Sequence, residues 1–302
     1  MTMYRIGIDL GGTNTAAGLV DTNGQIVDRE TVKTNIPTDL SRIVDNISHL
    51  CHTLMARNGL TLAQIACVGV GVPCTANITT GWMEDADHLG FSSGPLVAEL
   101  EKRLGLPVAI GNDADCAAWG EYKAGGYRDD SFILVTLGTG VGGGIILGGR
   151  LITGVNNAAG EVGHMVIHGD GELCGCGRRG CFEMYASGTA LIRNASVATG
   201  DVIGEAKEVF RRAAAGDHVC TAVLDRYITD LADGLANLIN ILGPAYLCIG
   251  GGISQAGEAL LQPLQEKLKT RVFARAAKIQ TQVILAKLHN DAGILGAALL
   301  NQ

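Results

Sequence analysis

Basic residues are few and scattered in this sequence: 23 Lys and Arg against 30 Asp and Glu leave a net charge of −7. No cationic stripe is present to follow a phosphate backbone, so nucleic acid is not an expected partner. Long apolar runs are missing as well, and nothing approaches the ~18 consecutive apolar residues of a membrane span. The opening stretch, "MTMYRIGIDLGGTN", lacks the basic start, apolar core and small-residue cleavage site of a secretory leader, which makes a cytoplasmic chain the expectation. Charged residues amount to 18% beside 47% hydrophobic ones, a balance that reads as well packed and globular. With 302 residues the chain is long for one core and comfortable for two lobes, yet no low-complexity linker marks a boundary.

Glycine, by contrast, is abundant. It fills 43 of 302 positions, about twice the usual share of ~7%, and it is clustered. Residues 4–10 read as a strand, "GGTN" turns, "TAAGLVD" returns, and "TNGQ" makes a hairpin turn into a third strand, "IVDRE". Residues 132–152 repeat the plan, with Ile8-Asp9-Leu10-Gly11-Gly12-Thr13 matching Val135-Thr136-Leu137-Gly138-Thr139-Gly140. The repeat predicts two similar α/β lobes that divide near residue 112. Apolar residues at three-to-four spacing predict helices over 40–55 and 224–242, and short apolar runs predict buried strands at 65–72, 107–111, 245–249 and 282–286.

"DLGGTN" is followed by a strand, so it is not a dinucleotide fingerprint, and it lacks the Gly-Lys-Ser/Thr ending of a P-loop. As a tight turn it offers backbone N–H groups to an anion, with Thr13 and Asn14 as further donors. Asp9 would then face phosphates through Mg2+, since a bare carboxylate would repel them. One such turn is most simply a hairpin; two in matching places could grip a polyphosphate. Gly250, Gly251 and Gly252 form a third cluster, which fits a strand-to-helix turn as well as it fits a nucleotide contact.

"PVAIGNDADCAAWGE" runs from a strand into a helix with Asn112 and Asp113 at the junction, where such residues ordinarily cap. A carboxylate there is favoured in its ionised form, as the proton acceptor of a phosphoryl transfer must be. Nine cysteines make disulfide pairing incomplete, and Cys51, Cys67, Cys116, Cys220 and Cys248 read as small buried hydrophobes. Cys174, Cys176 and Cys181, set among Gly and Arg, do not. Their C-x-C-x4-C spacing is not that of a redox pair, and tetrahedral zinc needs a fourth ligand, for which His164 is the nearest candidate. A metal-free thiol cluster is the other reading. A clip of this kind would fix Glu161, Glu183 and the second nitrogen of His164 as rigid groups suited to polyol hydroxyls.

The segments "DLGGTN", "GVGVP", "NDADCAAWGE", "LGTGVGGG", "GEVGH", "CGCGRRGCFE" and "IGGG", in that order, resemble the ROK family of sugar kinases over essentially the whole chain, and within it the bacterial glucokinase type. The resemblance implies a two-lobed α/β fold of the actin/hexokinase-like (ribonuclease H-like) ATPase class. It places an N-terminal lobe at 1–112, completed by a C-terminal helix at 291–302, and a zinc-bearing lobe at 113–290. ATP, Mg2+ and a sugar would bind in the cleft, and a homodimer is expected. Carried over residue by residue, it makes Asp113 the base at the sugar 6-hydroxyl and Asn112, Glu161, His164 and Glu183 sugar contacts. Gly11, Gly12, Thr13, Gly138 and Thr139 become the phosphate turns, with Gly140 beside them, and His164, Cys174, Cys176 and Cys181 the ligands of a structural Zn2+.

Two positions depart from the family pattern. His88-Leu89-Gly90-Phe91 stands where Asn-Leu-Gly-Trp is usual, and Cys74 follows "GVP" in place of Gly. An imidazole for an amide at a sugar contact changes which hydroxyl geometry is read. Glucose is the expected substrate, with allose, mannose, fructose, N-acetylmannosamine or N-acetylglucosamine as alternatives. A sugar-responsive repressor would carry a DNA-binding region before the first turn, and a non-catalytic sensor would not need Asp113 and both turns.

Overall fold

A computed structural model describes residues 2–127, 129–278 and 280–300. Strand β1 (Tyr4–Leu10) enters the Gly11–Thr13 turn and β2 (Asn14–Val20) returns antiparallel, with Asp9 opposite Ala16 and Leu10 opposite Thr15. The 21–25 turn, closed by Asp21 and Gln25, leads into β3 (Ile26–Lys33). Half-buried and exposed residues alternate along β3, as expected of a sheet edge with one face in water. Helix α1 (Leu40–Arg57) starts where the Asp39 carboxylate accepts from the Arg42 amide, 2.9 Å away, and buries Ile43, Val44, Ile47, Leu50, Cys51, Leu54 and Met55. Truncating any of its buried leucines to Ala would cost about 2–5 kcal/mol.

The chain then forms β4 (Ile65–Val72), the hairpin β5 (Thr75–Asn77) and β6 (Trp82–Glu84), α2 (Leu96–Leu104), β7 (Val108–Asn112) and α3 (Asp113–Ala124). β1, β4 and β7 are parallel neighbours, and the sheet order is β3-β2-β1-β4-β7. Their C-terminal ends lie side by side, the edge at which open α/β sheets place ligand-binding residues.

The second sheet repeats that order. β8 (Phe132–Leu137) and β9 (Val141–Leu147) form an antiparallel pair across the Gly138–Gly140 turn, and β10 (Arg150–Leu151) borders β9. After an irregular stretch come α4 (Glu183–Ala186), α5 (Gly188–Thr199), α6 (Ala206–Ala214) and α7 (His218–Leu242). α7 begins at His218, ahead of the 224 start that the apolar spacing predicts, because the Asp217 carboxylate accepts from the Val219 and Cys220 amides at 3.0 Å each. β11 (Tyr246–Gly250), α8 (Glu258–Arg271) and β12 (Gln282–Leu285) complete the order β10-β9-β8-β11-β12, with β8, β11 and β12 parallel.

The chain separates into two compact units: Met1–Arg128 with Leu151–Gly160 and Lys287–Gln302, and Asp129–Arg150 with Glu161–Ala286. The repeat puts the division near 112; by packing, α3 stays with the first unit because the last helix, α9 (Asp291–Ala298), lies against it. That approach is close enough to require glycine. A Cβ on Gly296 would sit 1.6 Å from the Cys116 carbonyl oxygen, and one on Gly7 1.9 Å from that of Ile294. The C-terminal helix is thus packed with the first unit. No helix among the described residues is long and apolar enough to cross a membrane.

Candidate active site

In the first unit the candidate residues sit at the ends of regular elements. Asn112 ends β7 and caps α3, its side-chain oxygen accepting from the Ala114 and Asp115 amides at 2.9 and 3.2 Å, while its Nδ2 donates to the Cys74 carbonyl at 3.3 Å. Asp113 is the first helical residue, and its Oδ1 accepts from the Ala114 amide at 2.7 Å. A carboxylate so placed is stabilised as the anion by the helix N-terminus. Asp9, near the end of β1, is half-buried, and its desolvation pushes its carboxyl above the usual range. Burial first, and then the negative charges of Asp115, Asp113 and Asp9, push the neighbouring Cys116 thiol well up. These carboxylates share one neighbourhood at the C-terminal edge of the sheet.

The Gly11–Thr13 turn is pinned from below by Thr34, whose amide donates to the Thr13 carbonyl at 3.0 Å and whose hydroxyl donates to the Gly11 carbonyl at 2.6 Å. Thr13 and Asn14 are exposed and remain available as donors. His88 is exposed on the single-turn helix Asp87–Leu89, whose Leu89 is buried. Cys74 is buried, and burial, followed by the charges of Asp113, Asp85 and Glu84, raises its thiol to about 12. The β5–β6 hairpin therefore brings two carboxylates near Cys74 that the sequence reading did not single out. Asp85 carries one mark, a positive φ of 56° in a non-glycine residue, which only coordinates reveal.

In the second unit the candidates hang on an irregular stretch that converges on Val141. The Glu183 carboxylate accepts from the Val141 amide at 3.0 Å. A Cβ on Gly140 would lie 2.2 Å from Glu183 Oε2, so glycine there leaves the space that this carboxylate fills. On the other side of the same residue, a Cβ on Gly163 would lie 2.1 Å from the Val141 carbonyl oxygen. The single turn Val162–His164, preceded by the exposed Glu161, is thereby laid against β9. The Val162–His164 turn, Glu183 and the Gly138–Gly140 turn thus meet at one backbone position. The turn is also tied to α5, where the Gly188 amide donates to the Gly138 carbonyl at 2.8 Å and the Thr189 hydroxyl donates to that of Thr139 at 2.8 Å.

The thiols lie beside this assembly. His164, Cys174, Cys176 and Cys181 bring their ligand atoms within 4.8 Å of one another, and Nδ1 is the His164 atom that faces Cys174, at 3.6 Å. Cys176 and Cys181 are 3.6 Å apart, sulfur to sulfur. Zn–S and Zn–N bonds of about 2.3 and 2.0–2.1 Å at tetrahedral angles give edges of roughly 3.8 and 3.6 Å, so the donor set suits the ion in type and number and these two separations are close to its edges. With Nδ1 turned to the thiols, Nε2 of His164 is left for another partner. The Arg178 backbone amide holds the exposed Cys176 thiol below its usual range. Burial raises that of Cys181 to about 12.

The third glycine cluster follows β11. A Cβ on Gly251 would approach the Leu137 backbone to 2.5 Å, which brings this turn against the base of the Gly138 turn, and a single-turn helix follows at Gly252–Ala256. Gly138 and Gly252 border open space in a cavity of about 550 Å3 whose apolar walls include Ile192, Phe210 and Ile253. It is thus both a strand-to-helix turn and the wall of a cavity.

A model described as the ROK family matches residues 5–302 of the chain. A glucokinase of Streptomyces coelicolor is 38% identical over 311 residues, covering 97% of this chain and 96% of that one. An N-acetylmannosamine kinase of Shigella boydii is 33% identical over 301 residues, with 99% of both chains covered. Among solved structures, a ROK family glucokinase from Streptomyces griseus in complex with glucose and AMPPNP superposes with a TM-score of 0.84 at 36% identity, covering 98% of each chain.

Proposed function

Because the chain belongs to the ROK family, we propose that it is an ATP-dependent hexose kinase acting on glucose. The observation that carries this reading is the Asn112–Asp113 junction, where the strand end presents a carboxylate whose charge the helix N-terminus favours. In this reading Asp113 takes the proton of the sugar 6-hydroxyl as its oxygen attacks the γ-phosphorus of ATP. The bond from that phosphorus to the β–γ bridging oxygen breaks, and ADP leaves. Phosphoryl transfer asks little more of a protein than positioning and charge stabilisation.

The Gly11–Thr13 and Gly138–Gly140 turns would supply backbone donors to the phosphates, and Asn14 a side-chain donor. The cavity at Gly138 and Gly252 would take the nucleotide's base and sugar, with Gly250 and Gly251 behind it. Asn112, Glu161, His164 and Glu183 would engage sugar hydroxyls, with His88 as a further contact. The disfavoured negative charge of half-buried Asp9 suits a divalent cation, and Mg2+ bound there would offset phosphate charge. Zn2+ on His164, Cys174, Cys176 and Cys181 would be structural, its four positions filled by protein. A homodimer in the cytoplasm completes the proposal.

A second reading is a kinase for N-acetylmannosamine, favoured by the relative of that name at 33% identity and by the imidazole of His88 where family kinases carry an amide. An ADP-release assay over glucose, mannose, allose, fructose, N-acetylglucosamine and N-acetylmannosamine decides between them. The expected result is the highest kcat/KM for glucose. Preference for N-acetylmannosamine replaces the first reading with the second, and no turnover with any of the six rejects both.

A further inference from the structure

Glu183 sits in α4, a helix of four residues, far too short to hold itself in place. Its position is set by what packs against it, and α7 and α5 both contribute, α7 with one face. The Tyr227 hydroxyl donates to the Ala186 carbonyl at 2.7 Å, both groups buried. Gly234, two turns along, accommodates the ring of the fully buried Phe182, to which a Cβ would approach within 2.3 Å. Between them lies Asp230, a buried carboxylate with a side-chain exposure of 6%.

Asp230 accepts from His168 Nε2 at 2.8 Å and from Arg226 Nε at 3.1 Å. His168 belongs to the loop that joins His164 to the thiols. Its ring meets that of Tyr185 edge-on, with centroids 4.4 Å apart. The Tyr185 hydroxyl in turn accepts from the Glu172 amide at 2.7 Å, which ties α4 to the same loop. A carboxylate taken out of water is expensive unless its partners are well placed. Here its partner is an imidazole that also packs edge-on against the ring of the residue two positions beyond Glu183.

We infer that His168, held by Asp230 of α7, is a positioning residue for Glu183: through Tyr185 it fixes the roll of α4 and keeps the Glu183 carboxylate on the Val141 amide. The thiols anchor α4 at its start through Cys181; the His168–Asp230 contact holds its opposite side. The sugar-affinity consequence rests on Glu183 being a sugar contact. The placement itself does not.

The test uses the full-length, zinc-loaded protein and two readouts, amide hydrogen exchange of the 138–142 segment and the Michaelis constants for sugar and ATP. In His168→Ala we expect exchange at 138–142 to accelerate and sugar KM to rise, each roughly tenfold, the effect of losing one hydrogen bond to a charged group. ATP KM and zinc content should hold. His168→Gln, whose amide can still donate to Asp230, should recover most of both losses. Unchanged exchange in folded His168→Ala, or no recovery in His168→Gln, overturns the inference. If His168→Ala does not fold, Asp230→Leu, apolar and of similar size, replaces it under the same criteria. If the unaltered protein phosphorylates no hexose, the exchange readout alone decides, so the kinase reading and this inference fail separately.

Discussion

The first unit sets its candidate residues at the ends of regular elements: Asp9 closes β1, Asn112 closes β7, and Asp113 opens α3. The second unit has the same five-strand order but hangs Glu161, His164 and Glu183 on a stretch with little regular structure, which lies beside a cluster of thiols and against tight glycine contacts and a helix face. In the first, backbone hydrogen bonding that the fold needs anyway also orients the chemistry. In the second, orientation depends on contacts between residues far apart in the chain, such as Glu183 with the Val141 amide. A base must be aligned to the reacting proton within a few tenths of an ångström, so it gains from a helix end. Groups that read several hydroxyls need a broad, shaped surface, which irregular backbone can form once it is pinned.

The sharpest way to break that contrast is Asp113→Asn, which keeps the geometry of the α3 start and removes the proton acceptor. Expected is a fall in kcat of about 10³-fold with sugar binding retained, read by steady-state kinetics and calorimetric titration. Turnover close to that of the unaltered protein would remove Asp113 from the mechanism. Next in size is Cys176→Ser. Metal analysis should fall from about one zinc per chain toward none, and sugar KM should rise roughly 10–100-fold, the range seen when the support of a metal-linked site is lost. A variant that lacks zinc but binds sugar normally would show that the thiols are not what pins the second unit.

Gly140→Ala is a smaller perturbation confined to the contact between the turn and Glu183. The new methyl group needs the volume of Glu183 Oε2, so the carboxylate must leave the Val141 amide, and sugar KM should rise roughly tenfold with little change in melting temperature. The smallest effect is expected at the β3 edge. Arg57 donates to both Asp28 oxygens at 2.7 Å and holds that carboxyl down at about 2. A depressed folded-state pKa stabilises above the unfolded value of about 3.9 and ceases to do so as pH falls toward 2. Arg57→Ala should therefore lower the melting temperature slightly at neutral pH, and the gap should close between about pH 4 and pH 2. A gap that persists at pH 2 would assign the effect to packing.

Much of the scaffold is legible in the sequence because it rests on local chemistry. Strand periodicity, the glycine turns and the Asn112 cap depend on residues within a few positions of one another, and His164 stands ten residues from Cys174. The start of α7 at His218 does not follow from its apolar stripe, which begins later than the helix does, although Asp217 is a recognisable cap. Asp230 and His168, 62 residues apart, give no sign of each other in the chain. Neither do Glu183 and the Val141 amide, since a hydrogen bond to backbone leaves no side-chain pattern to read.

The sequence by itself determined the two strand–turn–strand units, the helix that opens at Asp113 and the four donors suited to a metal, because each follows from propensity, capping or ligand chemistry within short range. Only the tertiary structure decided that α3 stays with the first unit, that Val141 meets both Glu183 and the Val162–His164 turn, and that α7 carries a buried acid on the face that packs against α4. Those outcomes depend on which backbones can approach within contact distance, a property of packed surfaces that no single segment encodes.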